Sequence, residues 1–312
     1  MSKRVLVLGT TGEIGGRIAR QCVDAGHSVA GVCRGTNTRA CPDLAGVELL
    51  VADKRDPGCY TDTLAGREFD VVIDSVPNAR DVELAFEHFH GSIEHYLMCS
   101  STGTYVPLRY LPADEEHPWR HKTEVNFHDQ CLRDAAALDL HQRHGFPVSI
   151  LRPTNIIGPG RIPLELWGGR NPKYFTRMLR HETVQIPVSG NILLQPGYND
   201  DLASAFVGAV SKGDEINGEV IIISTRRAIP LDRYFSVARD VLGSRSQVEF
   251  LPMDQILQRH PEDVNEAGLR FLIEHMCFDL GKAQLMLDYA PRFTAEQGLE
   301  NALKWCLDEG AI

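Results

Sequence analysis

The sequence predicts an α/β fold built on a doubly wound parallel sheet. Three observations carry that prediction. Short apolar segments alternate with helical patterns through the first half of the chain. Those segments are rich in Val, Ile and Leu at consecutive positions, as strands buried on both faces of a parallel sheet are. A glycine-rich turn also joins the first strand directly to the first helix, which is how a strand–turn–helix unit opens.

The elements follow in order. "RVLVLG" (4–9) is the first strand and 13–26 the first helix. "SVAGVC" (28–33), "VELLVA" (47–52) and "DVVIDS" (70–75) continue the strands, and 79–90 is helical. "HYLMCS" (95–100) precedes a long helix at 120–145, and "VSILRP" (148–153) is the sixth strand. Beyond residue 153 the alternation loosens. "RNPKYFTRMLRHE" (170–182) and "NDDLASAFVGAV" (199–210) are helical, and "GEVIIIS" (218–224) is another strand. The amphipathic "TAEQGLENALKWCLDEG" (294–310) closes the chain, with no linker, low-complexity segment or internal repeat before it.

A length of 312 residues suits one large α/β domain, or a core with a smaller lobe. Apolar residues at 43% and charged residues at 24% are ordinary for a soluble globular protein. A net charge of −10 without any Lys/Arg block lacks the footprint of a phosphate-backbone binder, so no nucleic-acid partner is expected. The eight cysteines form no C-x-x-C pair and sit mostly in apolar stretches, which fits buried thiols in a reducing cytosol. "MSKRVLVLG" enters a strand at once, without the plan of a signal peptide, and no apolar run approaches the ~20 residues of a membrane span. A cytoplasmic protein with no membrane partner is expected.

"VLVLGTTGEIGGRIAR" places Gly9, Gly12 and Gly15 after the first strand and at the start of a helix. Glycines permit a tight turn and close backbone approach, and the helix N-terminus offers unpaired N–H groups to a pyrophosphate. Thr11, Glu13 and Ile14 complete the loop. The pattern predicts a Rossmann-type dinucleotide site. An NAD-preferring site has a carboxylate at the end of the second strand for the ribose hydroxyls. Here "GVCRGTNTR" puts Cys33 in that place and Arg34 next to it. A guanidinium suits a 2′-phosphate, so NADP is the expected cofactor, with NAD as second choice. Asp53, after the third strand, is a candidate acceptor for the adenine amino group, or a plain loop aspartate.

With "DKRD", "CSSTGTY", "LRPTNIIGPG", "NDDLASAF", "FDLGKAQLML" and "LENALKW" in that order, the chain resembles the extended short-chain dehydrogenase/reductase superfamily. It is similar to the nucleotide-sugar epimerase and dehydratase group, and in motif style to the branch of chloroplast stem-loop RNA-binding proteins and their bacterial relatives. The resemblance implies a small C-terminal substrate-binding lobe. Residues 1–160 are then mainly the dinucleotide core, and 161–312 mainly the lobe, interleaved with core elements at about 199–225. It implies that Ser101 polarises the reacting oxygen, with Thr102 beside it, and that Pro153 joins the cofactor contacts. It also implies a homodimer packed through the long helix.

The family's tyrosine delivers a proton, and its lysine lowers the tyrosine pKa and binds the nicotinamide ribose. Those two positions fall on Asn126 and Gln130, and none of the seven lysines has a tyrosine four residues before it. A free phenol near pKa 10 is poorly tuned without a cation. The substitutes are Lys122, one turn before Asn126 on the expected helix, with His121, His128 and Tyr105. On the substrate side Asn155 matches a sugar-nucleotide contact, Arg161 is placed to bind an anion, and Leu194 stands where an arginine is usual. The histidine-dense stretches lack ligand spacing, and no metal is expected. The sequence therefore reads as an NADP(H)-dependent oxidoreductase or epimerase-like enzyme for a sugar, sugar nucleotide or polyol. The alternative is a non-catalytic nucleotide-binding regulatory or RNA-associated protein of the same fold.

Overall fold

Strand residues 5–8 alternate between two cores. Val5 and Val7 enter one apolar cluster, and Leu6 and Leu8 enter another on the opposite face. That two-sided burial is what the unbroken apolar runs specify. The computed structural model describes residues 1–36, 43–187 and 190–312. Its main sheet contains β1 (Arg4–Leu8), β2 (Ser28–Cys33), β3 (Val47–Val51), β4 (Val71–Asp74), β5 (His95–Cys99) and β6 (Val148–Pro153). A late strand, Val220–Ile223, pairs with β6. The spatial order is β3-β2-β1-β4-β5-β6 and then Val220–Ile223, with every pair parallel. The winding reverses between β1 and β4, and a reversal of this kind opens a crevice at the carboxyl ends of the strands.

Helices α1 (Glu13–Asp24), α2 (Ala79–Phe89) and α3 (His128–His144) connect the first six strands. α4 (Pro172–Leu179), α5 (Asn199–Val210), α6 (Leu231–Val241) and α7 (Met253–Arg259) follow. α8 (Glu266–Leu272), α9 (Gly281–Leu287) and α10 (Ala295–Asp308) complete the chain. Ile14 and Ile18 of α1 and Phe206 of α5 join the cluster of Val5 and Val7. Val82 of α2 and Ala137 of α3 join that of Leu6 and Leu8. Outside the main sheet, Val184–Pro187 pairs with Val248–Leu251, also parallel. No described helix is long and apolar enough to cross a membrane.

Two expectations need correction. β3 is an edge strand and not one buried on both faces: Leu49 is 47% and Val51 71% exposed. The long helix starts at His128, not near 120. Thr123 and Asn126 hold the preceding segment in turns. Thr123 Oγ1 accepts from the Asn126 N–H (3.0 Å), and Asn126 Oδ1 accepts from the Thr123 N–H (3.1 Å). Asn126 Nδ2 donates to His121 O (2.7 Å), and Thr123 Oγ1 donates to Val106 O (3.1 Å). Short polar side chains that bond the backbone in this way compete with helix formation.

Candidate functional site

The turn after β1 is shaped by backbone approach. Gly9 has φ +85°, and a Cβ there would stand 2.6 Å from Ser75 Oγ. A Cβ on Gly15 would stand 2.3 Å from Gly9 O. These glycines bring α1 onto the end of β1. Gly12 caps α1 without a side-chain hydrogen bond, which leaves the first-turn N–H groups for a ligand. Ile14 is buried under this turn, whereas Glu13 points its carboxylate to Arg161 at 3.4 Å.

A cleft over the ends of β1, β2 and β3 is lined by Gly9, Thr11, Gly12, Arg34, Asp53 and Arg55, among others. It gathers most of the cofactor residues expected from the sequence and adds Arg55. Cys33 is buried at the end of β2, so no acid stands there. Asp53 Oδ1 accepts from the Arg55 N–H (3.0 Å), so one of its oxygens serves its own loop. Beneath the cleft the buried Lys54 ammonium meets Asp74 (2.7 Å) and Asp81 (2.8 Å). Residues 37–39 of "GVCRGTNTR", and Cys41, lie outside the described residues.

The second half of the crevice lies at the ends of β5 and β6. Ser101 caps the short turn Thr102–Thr104, and its Oγ accepts from the Gly103 N–H (3.1 Å). That bond takes a lone pair, and the O–H remains able to donate. Thr102, expected at the substrate, is buried, and its hydroxyl is directed to Pro153 O at 3.4 Å. Pro153 is itself buried at the end of β6. Asn155, two residues on, accepts from Arg170 Nη2 at 3.4 Å.

The proton-transfer candidates do not share one helix face. Lys122 and Asn126 precede α3; His128 and Gln130 lie in its first turn. Lys122 is exposed. Asn126 is occupied by the turn bonds above. His128 Nδ1 and Gln130 Oε1 are buried without a hydrogen-bond partner. Tyr105 is 2% exposed, and burial pushes its phenol up to about 12 despite the opposing Arg152 charge. It is poorly suited to donate a proton at neutral pH. Phe127 N–H donates to Gly103 O (3.1 Å), which docks the start of α3 beside the serine turn. The Phe127 ring stacks on Phe271 of α8 with centroids 4.8 Å apart.

An ionic network unforeseen in the sequence supports this end of the site. Asp134 of α3 bonds Arg152 of β6 (2.9 Å) and Arg133 (2.8 Å), all buried. Ser100, the neighbour of Ser101, donates to Asp134 (2.6 Å) and accepts from Arg133 (2.8 Å). Arg152 also lies 4.1 Å from the Trp119 ring centroid and 4.6 Å from that of Tyr105. The arginine inside the otherwise apolar "VSILRP" was the available signal, since a charge in a buried strand requires a partner. Cys99 is buried, with its thiol pushed up to about 12 by burial, and Cys131 is raised by the same cause, so both pack as apolar groups. Among the described residues no group of three His, Cys, Asp or Glu side chains is placed to hold a metal ion.

A sequence profile of the NAD dependent epimerase/dehydratase family matches residues 5–88 and 80–224. The chain is 26% identical to the chloroplast stem-loop binding protein of 41 kDa b of Arabidopsis thaliana, covering 96% of this chain and 78% of that protein. Solved structures share the fold, two of them as follows. An epimerase of Methanothermobacter thermautotrophicus aligns with a TM-score of 0.79 at 16% identity, covering 99% of this chain and 94% of the other. The UDP-glucose 4-epimerase of Thermotoga maritima, solved with UDP-glucose, aligns with a TM-score of 0.79 at 18% identity, covering 98% and 99%.

Proposed function

The chain belongs to the NAD dependent epimerase/dehydratase family, and from that premise we propose that it is an NADP(H)-dependent oxidoreductase or epimerase-like enzyme for a sugar, sugar nucleotide or related polyol. The observation that carries this reading is the cleft over β1, β2 and β3. It joins the glycine turn to Arg34 and Arg55 and has no acid at the end of β2. The two guanidinium groups suit a 2′-phosphate; NAD(H) is the second choice. Bound there, the coenzyme supplies or accepts hydride.

The chain's own residues handle the oxygen of the substrate. Ser101 donates its O–H to that oxygen while Gly103 fixes its rotamer. The Asp134 network holds Ser100, and with it the strand end, against α3. His128, in the first turn of α3, is the proposed proton carrier in place of the absent tyrosine, since an imidazole ring can both accept and donate a proton. Gln130 offers its unpartnered Oε1 to a hydroxyl, a contact that needs no charge.

A non-catalytic nucleotide-binding or RNA-associated role is the second reading. It is favoured by the absent Tyr/Lys pair together with the likeness to the stem-loop binding protein. Ser101→Ala separates the two. In an enzyme it abolishes turnover of a sugar or nucleotide-sugar panel and leaves NADPH binding intact. Unchanged turnover in that variant would remove Ser101 from the mechanism, and a wild type that binds NADPH but turns over nothing favours the second reading.

A further inference from the structure

Lys54 lines the coenzyme cleft yet is only 7% exposed. Its ammonium donates to both oxygens of Asp74 (2.7 and 2.8 Å) and to Val76 O (2.9 Å), and Asp81 Oδ2 lies 2.8 Å away. An ammonium has three N–H donors. Two carboxylates and a carbonyl account for all of them, so none is left for a ligand. Any part that Lys54 plays in the cleft is therefore exercised through its neighbours. Asp53 and Arg55, on either side of it, both line the same cleft.

The loop after β3 needs such a tether. β3 is the exposed edge strand, and β2 and β1 stand between it and β4, so no strand ladder ties the two together. Asp53 Oδ1 accepts from the Arg55 N–H (3.0 Å) and Asp56 Oδ1 from the Gly58 N–H (2.9 Å), both within the loop. Of residues 53–56, Lys54 is the one whose side chain bonds another element of the described structure. The receiving end is itself fixed. Tyr96 Oη donates to Asp74 (3.1 Å), and Asp81 closes the capping box of α2 by accepting from the Asn78 N–H (2.9 Å). Asp53 keeps its second oxygen, Oδ2, without a bond from the described residues.

We propose that Lys54 is a positioning residue for the base of the coenzyme: anchored on Asp74 and Asp81, it holds Asp53 where the free carboxylate oxygen accepts from the adenine amino group. The inference rests on the reading of this cleft as the coenzyme site. A carboxylate held in place separates two bases sharply. An amino group donates to it, whereas the carbonyl oxygen that stands there in hypoxanthine repels it and leaves it unpaired. A carboxylate on an untethered loop swings away and loses that distinction.

Fluorescence titration of the full chain with NADPH and with its hypoxanthine analogue tests it; if the chain binds only NADH, that coenzyme and its hypoxanthine analogue take their place. The wild type is expected to bind the adenine form at least tenfold more tightly. Lys54→Met should weaken the adenine form at least tenfold and the analogue by no more than about twofold, so that the preference disappears. Asp53→Ala should do the same, and adding Lys54→Met to it should change the preference by less than about twofold, because the two residues act in series. Lys54→Met with Asp74→Asn removes one charge of each sign from the buried cluster, and it carries the comparison if the single variant fails to fold. Equal losses for both nucleotides would make Lys54 a mere support of the cleft and overturn the proposal. An unaltered preference in the variants, or additive losses with Asp53→Ala, overturns it as well. Wild type that binds both forms equally overturns it while leaving the coenzyme reading intact, whereas wild type that binds no form of either coenzyme removes that reading and the proposal with it.

Discussion

Asp134 and Arg152 form an ion pair at 2.9 Å with both side chains wholly buried, one on α3 and the other on β6. The carboxylate also holds Arg133 and Ser100. Asp134→Ala would leave two buried guanidinium groups without their anion. Removing one partner of a buried pair costs about 3–5 kcal/mol. Urea unfolding should show a loss of that size; a loss below about 1 kcal/mol would mean the network is not a structural support.

Gly15→Ala is expected to damage the dinucleotide turn. The added Cβ meets Gly9 O at 2.3 Å and Ser75 Oγ at 2.7 Å, and the backbone oxygen cannot step aside. Overpacking of this kind costs about 1–3 kcal/mol. Separation of α1 from β1 should also reduce NADPH affinity at least tenfold, read by coenzyme fluorescence. Native affinity in the variant would place the coenzyme elsewhere.

What was readable in the sequence and what was not divide along physical lines. The first six strands announced themselves because Val, Ile and Leu fill consecutive positions, and the glycine turn because a dinucleotide needs backbone there. The start of α3 was misplaced because 120–127 is compatible with a helix by pattern. Only the side-chain bonds of Thr123 and Asn126 decide otherwise. The exposure of β3 depends on its place in the sheet order, which apolar content does not encode. The contact of Arg170 with Asn155 was missed because the two are 15 positions apart and two of the three bonds of Arg170 go to main-chain carbonyls.

Glu165 gives the fold a pH dependence. It is buried, and burial raises its carboxyl from 4.5 to about 7, against the opposing N–H bonds of its own loop. A raised folded-state value means that the native state holds the proton more tightly. Its stabilising contribution is complete below about pH 4.5 and is lost as pH rises to about 7. The shift corresponds to about 3 kcal/mol. Glu165→Gln should flatten the stability profile between pH 5 and 7, measured by thermal or urea unfolding. An unchanged slope would assign the pH dependence to other groups.

Arg34→Ala tests coenzyme choice. Arg34 lines the cleft next to Cys33, at the end of β2, where no acid stands. Hydrogen bonds to charged groups contribute about 1.5–3 kcal/mol. NADPH affinity should therefore fall tenfold or more, while NADH affinity stays within about twofold. Equal losses for both coenzymes would show that Arg34 does not read the 2′-phosphate.

Restoring the family pair by substitution should fail. Asn126→Tyr with Gln130→Lys writes Tyr-x-x-x-Lys into the sequence, yet position 126 lies in a turn before α3 and position 130 in its first helical turn. The two side chains are not stacked one turn apart on a common face, so the ammonium is not placed to lower the phenol pKa. The tyrosine also forfeits the bonds from Asn126 to His121 O and from the Thr123 N–H. Hydrogen bonds of that kind are each worth about 1 kcal/mol, so stability should fall by about 1–3 kcal/mol. Coenzyme-linked turnover on a sugar and nucleotide-sugar panel should not rise. An increase in rate, with a new pH dependence attributable to a phenol, would instead show that the segment before His128 can join the helix.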